Sequence, residues 1–308
     1  MNDIKQYGTF AKIEPINKGW SEDKKFYIET TDNRRLLLRV ADIAEYDRKK
    51  SEYGMMERAA ALGIPMSAPV DFGMCNGGKS VYSLLTWCDG EDAEAALPRM
   101  TEDEQYNIGV KSGALLRKLH SIPIEIDESA ASWGERFREK VRGRAGFYNS
   151  HPIKCADADF IIHYLHENQK LLDSREVTFN HGDYGASNII VTPTNDVGVI
   201  DFNSFNLDCG DPWWEFTPAP WGHKVNAHFI TGQINGYFGD DFSGKLYDDF
   251  FAMHAYYSAY DALTALCCTA DGEGGEPEEG RIHMSNILKW FDNFRTTVPS
   301  WYMTDLRK

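Results

Sequence analysis

Over the first ninety residues, apolar and polar positions tend to alternate, and a period of two predicts strands. Phe26 to Thr30 and Arg35 to Val40 read as a strand pair around the turn Thr31-Asp32-Asn33, with Thr9 to Ile13 as a strand before them. In the second of the pair, Leu36, Leu38 and Val40 share one face, leaving Arg35, Leu37 and Arg39 on the other. Asp47 to Leu62 has helical spacing, stopped by Gly63 and Pro65. Further along, Glu102 to His120, Asp157 to Leu172 and Phe250 to Cys268 place apolar residues three and four apart, as in Leu115, Leu116 and Leu119, or Phe160, Ile161, Tyr164 and Leu165. The pattern predicts an α+β chain of two lobes: a small, mostly β lobe over residues 1–88 and a larger, mostly helical lobe over residues 89–308.

Within the larger lobe, the stretch HGDYGASNIIVTPTNDVGVIDFNSFNLDCGD from His181 to Asp211 carries the strongest chemical signal. Asp183 and Asn188 sit on a loop leading into the apolar run Ile189 to Val191. The turn residues Pro193-Thr194-Asn195-Asp196 then reverse the chain, so that the run Val197 to Phe202 brings Asp201 back beside Asn188. Two acids and an amide so arranged suit transfer of a γ-phosphoryl group, which asks a protein mainly for positioning and charge neutralisation. Asn188 and Asp201 are the candidate magnesium ligands, since this hard cation takes oxygen donors and is usually held by only one or two protein groups. Asp183 is the candidate base for a substrate hydroxyl. The competing reading is a pair of tight turns using Asp and Asn as ordinary turn residues.

At these residues the chain resembles the aminoglycoside phosphotransferase family, small-molecule kinases that share the two-lobed fold of protein kinases. The matching segments are His181-Gly182-Asp183 with Asn188, then Ile200-Asp201-Phe202, then Gly210-Asp211-Pro212, with Leu116 to Ile122 upstream as the helix ending in a Leu-His pair and Leu84 to Gly90 as the hinge. The resemblance implies that Asp183 is the catalytic base, that Asn188 and Asp201 bind magnesium, and that His181 and Asp211 are structural. It also implies a nucleotide donor, ATP or GTP, contacted at the hinge by backbone groups of Thr86 and Cys88 and at its phosphates by the Ser21 region. Arg39, with Glu52 on the following helix, matches the Lys and Glu pair that orders phosphates in kinases, with Arg in place of Lys. No GxGxxG is present near Gly19-Trp20-Ser21, and Asn203 stands where kinases have Gly.

Gly73 to Ser80 formally matches GxxxxGK[ST], but the residues after it, Val81 to Trp87, are strand-like, whereas a P-loop must open a helix. Asn76-Gly77 reads instead as a hairpin turn. Glu215, beside Trp213, Trp214 and Trp221, and Asp261, within an aromatic-rich helix, are candidate contacts for a substrate amine; core packing and local hydrogen bonding are the plainer alternatives. The acidic stretch from Asp271 to Gly280 is either a lip over substrate or a loop between helices.

The formal charge of −15 argues against nucleic acid as a partner, because such binding depends on basic patches. It suits a cationic substrate or simply a solvated acidic surface. Six cysteines without a CxxC pair, no apolar run of membrane-spanning length and no apolar leader point to a cytoplasmic protein with reduced thiols. The sequence therefore predicts a kinase of a small hydroxylated molecule, an aminoglycoside or related antibiotic first, with a sugar, choline-like amine or amino-alcohol as the alternative acceptor. A noncatalytic nucleotide binder of the same fold is the alternative outside enzymes. Oligomeric state leaves no mark in the pattern.

Overall fold

A computed structural model describes residues 1–17, 22–125, 131–152, 154–203, 209–216, 225–270, 272 and 275–306. Its strands and helices run β1 (Phe10–Ile16), β2 (Lys24–Thr30), β3 (Arg35–Asp42), α1 (Tyr46–Ala61), β4 (Pro69–Cys75), β5 (Ser80–Thr86), β6 (Glu91–Asp92), α2 (Ala93–Ala96), α3 (Glu102–His120), α4 (Trp133–Ser150), α5 (Ala156–Glu167), β7 (Thr178–Phe179), β8 (Ile189–Val191), β9 (Val197–Val199), β10 (Cys209–Gly210), α6 (Ala227–Phe238), α7 (Gly244–Ala270) and α8 (Pro277–Trp290).

Two compact units result, and neither is a continuous stretch: Met1–Pro98 joins His181–Asp208, and Arg99–Asn180 joins Cys209–Lys308. This differs from a single boundary at residue 88. Short pairings explain the difference, because β6 pairs with β8 through Glu91 with Val191 and Asp92 with Ile190. In addition, the Val199 N–H donates to the Pro65 carbonyl at 2.9 Å and the Ser67 N–H to that of Val199 at 3.3 Å. Strands of two or three residues have no readable periodicity, so the sequence pattern did not carry these ties.

In the first unit an antiparallel sheet has the order β1-β2-β3-β5-β4. Its core face is the one the alternation predicts: Leu36, Leu38 and Val40 pack with Ile28, Cys75, Tyr82 and Leu84. The other face carries Leu37 and Arg39 from β3 and, by register, their partners Tyr27 and Lys25 from β2. Helix α1 buries Met55, Met56 and Ala59, and also Lys49 and Glu52, two charged groups that need partners at that depth. The P-loop look-alike is the β4–β5 hairpin, with Asn76 and Gly77 at φ 56° and 66°, and no helix follows it. The left-handed backbone at both residues is what an Asn-Gly turn supplies.

In the second unit α3 spans the expected residues because Thr101 and Glu104 form a capping box at its start and Arg117, Lys118 and His120 face the dipole at its end. The expected helix from Asp157 to Leu172 ends early, at Glu167, and continues as a 3₁₀ turn over Gln169–Leu172. The expected helix from Phe250 starts earlier, at Gly244, and buries Phe250, Phe251, Tyr256, Tyr257, Leu263 and Leu266 around its circumference. A two-stranded ribbon pairs β10 with β7.

Helices α3 and α6 meet through glycines. A methyl group on Gly109 or Gly113 would overlap the carbonyl oxygens of Phe229 or Gln233, and one on Gly232 or Gly236 those of Tyr106 or Val110. Four side-chain-free positions let two backbones touch where any Cβ would hold them apart. Gly232→Ala should therefore cost about 1–3 kcal/mol of stability by overpacking, against the small gain Ala normally brings to a helix. A denaturant midpoint equal to the parent's would show that the helices are not in such close contact.

Candidate active site

The turn after residue 180 is built by close contacts. Gly182 has φ +89°, and a Cβ there would overlap the Asn203 carbonyl oxygen, so only glycine fits. His181 is fully buried; its Nε2 donates to the Ile200 carbonyl at 2.9 Å, and its Nδ1 accepts from the Asp183 N–H at 3.2 Å, which fixes the tautomer. The Asn203 N–H closes the loop on the His181 carbonyl at 2.9 Å. His181 thus ties the segment carrying Asp183 to the segment carrying Asp201.

Asp183 is exposed between buried neighbours Gly182 and Tyr184. Asn188 holds it: the amide nitrogen donates to the Asp183 carbonyl at 2.8 Å and to carboxylate Oδ2 at 2.9 Å. With the nitrogen so used, the Asn188 Oδ1 is the atom able to face a cation. The Ile200 N–H donates to the Asn188 carbonyl at 3.0 Å, so the β8–β9 hairpin sets Asp201 next to Asn188 in the ladder. The strand itself stops at Val199, short of the Phe202 expected, and Asp201 turns into left-handed backbone at φ +63°. A non-glycine residue held there is characteristic of functional sites.

Arg39 binds Asp201 through Nη1, and its Nε and Nη2 reach the Asp23 Oδ2 at 3.0 and 2.8 Å. Burial would raise the Asp201 carboxyl, but the Arg39 guanidinium outweighs it and holds the group below the ordinary carboxylate range. Asp23 follows the same pattern: burial opposes, and Arg39 with Lys49 prevails. The expected pairing of Arg39 with Glu52 is not the one formed. Glu52 is taken by Arg48 at 2.9 Å and by Lys49 at 3.3 Å, and the Lys49 Nζ also reaches Asp23 at 2.6 Å. Arg48 and Lys49 sit four and three residues before Glu52 on α1, which places all three on adjacent turns and satisfies Glu52 locally. Asp23 and Lys49 are site residues that sequence reasoning missed.

An oxygen-only donor pair, Asn188 Oδ1 and the Asp201 carboxylate, fits magnesium, and the guanidinium now against Asp201 shows that the position accepts positive charge. At the hinge, the Thr86 N–H donates to the Ala68 carbonyl at 2.8 Å. Cys88 lies two residues on, its sulfur next to Gly198 of β9, where a side chain would collide with it. Ser21, Trp221, Asp271, Glu273 and Gly274 lie outside the described residues.

The two acids expected to meet a substrate amine have partners inside the second unit. Glu215 is buried, with Oε2 3.2 Å from His120 Nε2, whose Nδ1 lies 2.9 Å from the Tyr237 hydroxyl. Asp261 lies 2.8 Å from His283 Nε2. Asp211 is fully buried, accepting from the Arg175 Nη2 at 3.0 Å and the Tyr257 hydroxyl at 2.8 Å, a scaffold role. Trp213 and Trp214 pack on the helical core, with Arg175 stacked 3.9 Å from the Trp213 ring. All six cysteines are free thiols, and among the described residues no helix is long and apolar enough to cross a membrane.

Residues 12–248 match the model of the phosphotransferase enzyme family. No curated protein matches the sequence. Among solved structures, a choline/ethanolamine kinase family protein from Mesorhizobium loti superimposes with a TM-score of 0.65 at 13% identity over 96% of this chain and 95% of its own. A thermostable mutant of the aminoglycoside phosphotransferase APH(4)-Ia gives 0.64 at 16% identity over 92% and 96%. The streptomycin and ATP complex of APH(2'')-IIa gives 0.59 at 16% identity over 91% of each chain. At such identities the likeness speaks for the fold, two-lobed and protein-kinase-like.

Proposed function

Because this chain belongs to the phosphotransferase enzyme family and is thus a kinase acting on hydroxyl groups, we propose that it moves the γ-phosphoryl of ATP or GTP to a small molecule through Asp183, Asn188 and Asp201. The observation that carries this reading is the hold of Asn188 on Asp183, which fixes a solvent-facing carboxylate beside two oxygen donors for a cation. Asp183 orients the acceptor hydroxyl and takes its proton as that oxygen bonds to phosphorus and the bridging oxygen leaves with the nucleoside diphosphate. Asn188 and Asp201 hold magnesium, which when bound neutralises phosphate charge. Arg39 orders Asp201, and Glu52 orders Lys49 within the same cluster. Thr86 and Cys88 offer backbone groups to the base, and the protein works in the cytoplasm.

For the acceptor, an aminoglycoside or related antibiotic is the first class to test, consistent with the charge of −15 and with the streptomycin held by one protein of similar fold. The pairing of Glu215 with His120 and of Asp261 with His283 favours the second reading, a metabolic sugar, choline-like amine or amino-alcohol, because such an acceptor carries at most one amine where an aminoglycoside carries several, and both acids offered for a substrate amine are already engaged. Release of nucleoside diphosphate, followed with ATP and GTP in parallel against aminoglycosides, choline-like amines and sugars, separates the two. Stimulation by one class names the acceptor. Magnesium-dependent nucleotide binding with no stimulation by any class would move the protein to the noncatalytic reading.

A further inference from the structure

Helix α4 is strongly basic in a chain of net charge −15: Arg136, Arg138, Lys140, Arg142 and Arg144 are set against only two carboxylates on the helix, Glu135 and Glu139. Both carboxylates are taken. Glu135 closes the capping box with Ser132, and Glu139 pairs with Arg142. Arg138 pairs with Asp173.

Arg136, Lys140 and Arg144 form a row. Their four-residue spacing puts them on one side of the helix, about 12 Å from end to end at 1.5 Å per residue, and all three are half-buried. Like charges at this spacing weaken a helix, and partial burial adds to the cost. Burial first, then the charges of Arg136 and Arg144, pull the Lys140 ammonium below the usual lysine range. Lys140 has an interaction of its own, so its part in the row is that of a charge between two arginines.

Among the described residues neither arginine has a carboxylate partner. Arg136 lies over the Trp133 ring at 5.4 Å, and its Nη2 reaches the Cys209 carbonyl only at 3.5 Å, while its Nε is buried with no acceptor. Arg144 is hydrogen-bonded to the Tyr260 hydroxyl. Tyr260 belongs to the side of α7 that packs on α4, where its ring meets Phe137. One turn further on that side, Thr264 carries a buried hydroxyl with no partner. The planar fork of a guanidinium matches an oxyanion, and Arg136 gives up little by turning to one.

We infer that the facing sides of α4 and α7 form a binding site for a small molecule carrying a multiply charged oxyanion, a phosphate ester or a polycarboxylate. A single negative charge would leave most of the repulsion along the row in place. A ligand with several removes it and supplies the acceptors that Arg136 and Thr264 lack. Every residue of the site belongs to the second unit, so it stands apart from the phosphotransferase reading, whose Asp183, Asn188 and Asp201 belong to the first.

Calorimetric titration of the whole protein with pyrophosphate and with citrate, at constant ionic strength and with a chelator present, tests the inference. The parent should bind saturably, and the tighter of the two probes separates a phosphate ester from a polycarboxylate. Arg136→Gln and Arg144→Gln should each weaken binding on the order of 10- to 100-fold, the range of a hydrogen bond to a charged group, and Arg136→Lys should recover part of the loss. Arg142→Gln, at an exposed position paired with Glu139, should bind like the parent. Melting temperatures without either anion give a second readout, because removing a repelling charge should leave the Gln variants melting no lower than the parent. A fall in melting temperature that accompanies lost binding would make the row structural and overturn the site. No saturable binding by the parent, binding that survives both Gln variants of the row, or equal weakening by Arg142→Gln would overturn it as well.

Discussion

Asp183→Asn is expected to fold normally and to lose on the order of 10²- to 10⁴-fold in kcat, the range typical of general-base catalysis. The replacement keeps the size and leaves an oxygen that can still accept from the Asn188 amide, now 2.9 Å from Oδ2. The backbone contacts of the loop, including the 2.8 Å bond from Asn188 to the Asp183 carbonyl, do not involve the altered atoms. Asp183 is exposed, so the stability change should stay within about 0.5 kcal/mol. What disappears is the carboxylate that takes the acceptor proton. Single-turnover rates at saturating nucleotide check this, and unimpaired turnover would rule out Asp183 as the base.

Asp201→Asn should abolish the gain in nucleotide affinity that magnesium brings. Asn is the informative choice because it tolerates the left-handed backbone at φ +63° better than Ala does, so the hairpin keeps its shape. The change removes the anionic metal ligand and one of the two carboxylates on Arg39, leaving Asp23 in place. Nucleotide dissociation constants with magnesium and with a chelator give the comparison. The ratio between them should fall toward one, from on the order of 10- to 100-fold in the parent, a span typical of damage to a metal site. A ratio equal to the parent's would take Asp201 out of the metal site.

The site was legible in sequence where it is local. Asp183, Asn188 and Asp201 lie within nineteen consecutive residues, and a turn between two apolar runs is enough to bring them together. Ion pairs across long separations leave no such trace. Asp23 is 16 residues from Arg39 and Asp201 is 162 away, so neither pairing could be read from spacing. The Glu52 assignment failed because the sequence of α1 offered it a nearer partner, Arg48, one turn back. The β2–β3 register was readable: equal steps outward from Asp32 in the turn pair Ile28 with Leu36 and Lys25 with Arg39, as observed. The glycines of α3 and α6, spaced four apart in each helix, were another signal passed over, because glycine in a helix reads as a weakness until the neighbouring backbone is seen. Substrate contacts were least legible, since Glu215 and Asp261 look available in one dimension and are held by His120 and His283 in three.

The most direct test of Asp183-based transfer uses ATP or GTP labelled in the γ-phosphoryl group, magnesium, and the hydroxylated acceptors above, with the parent and Asp183→Asn side by side. Label should pass to an acceptor hydroxyl in the parent, stop when magnesium is chelated, and all but vanish in Asp183→Asn. Equal transfer by the two proteins would contradict the assignment.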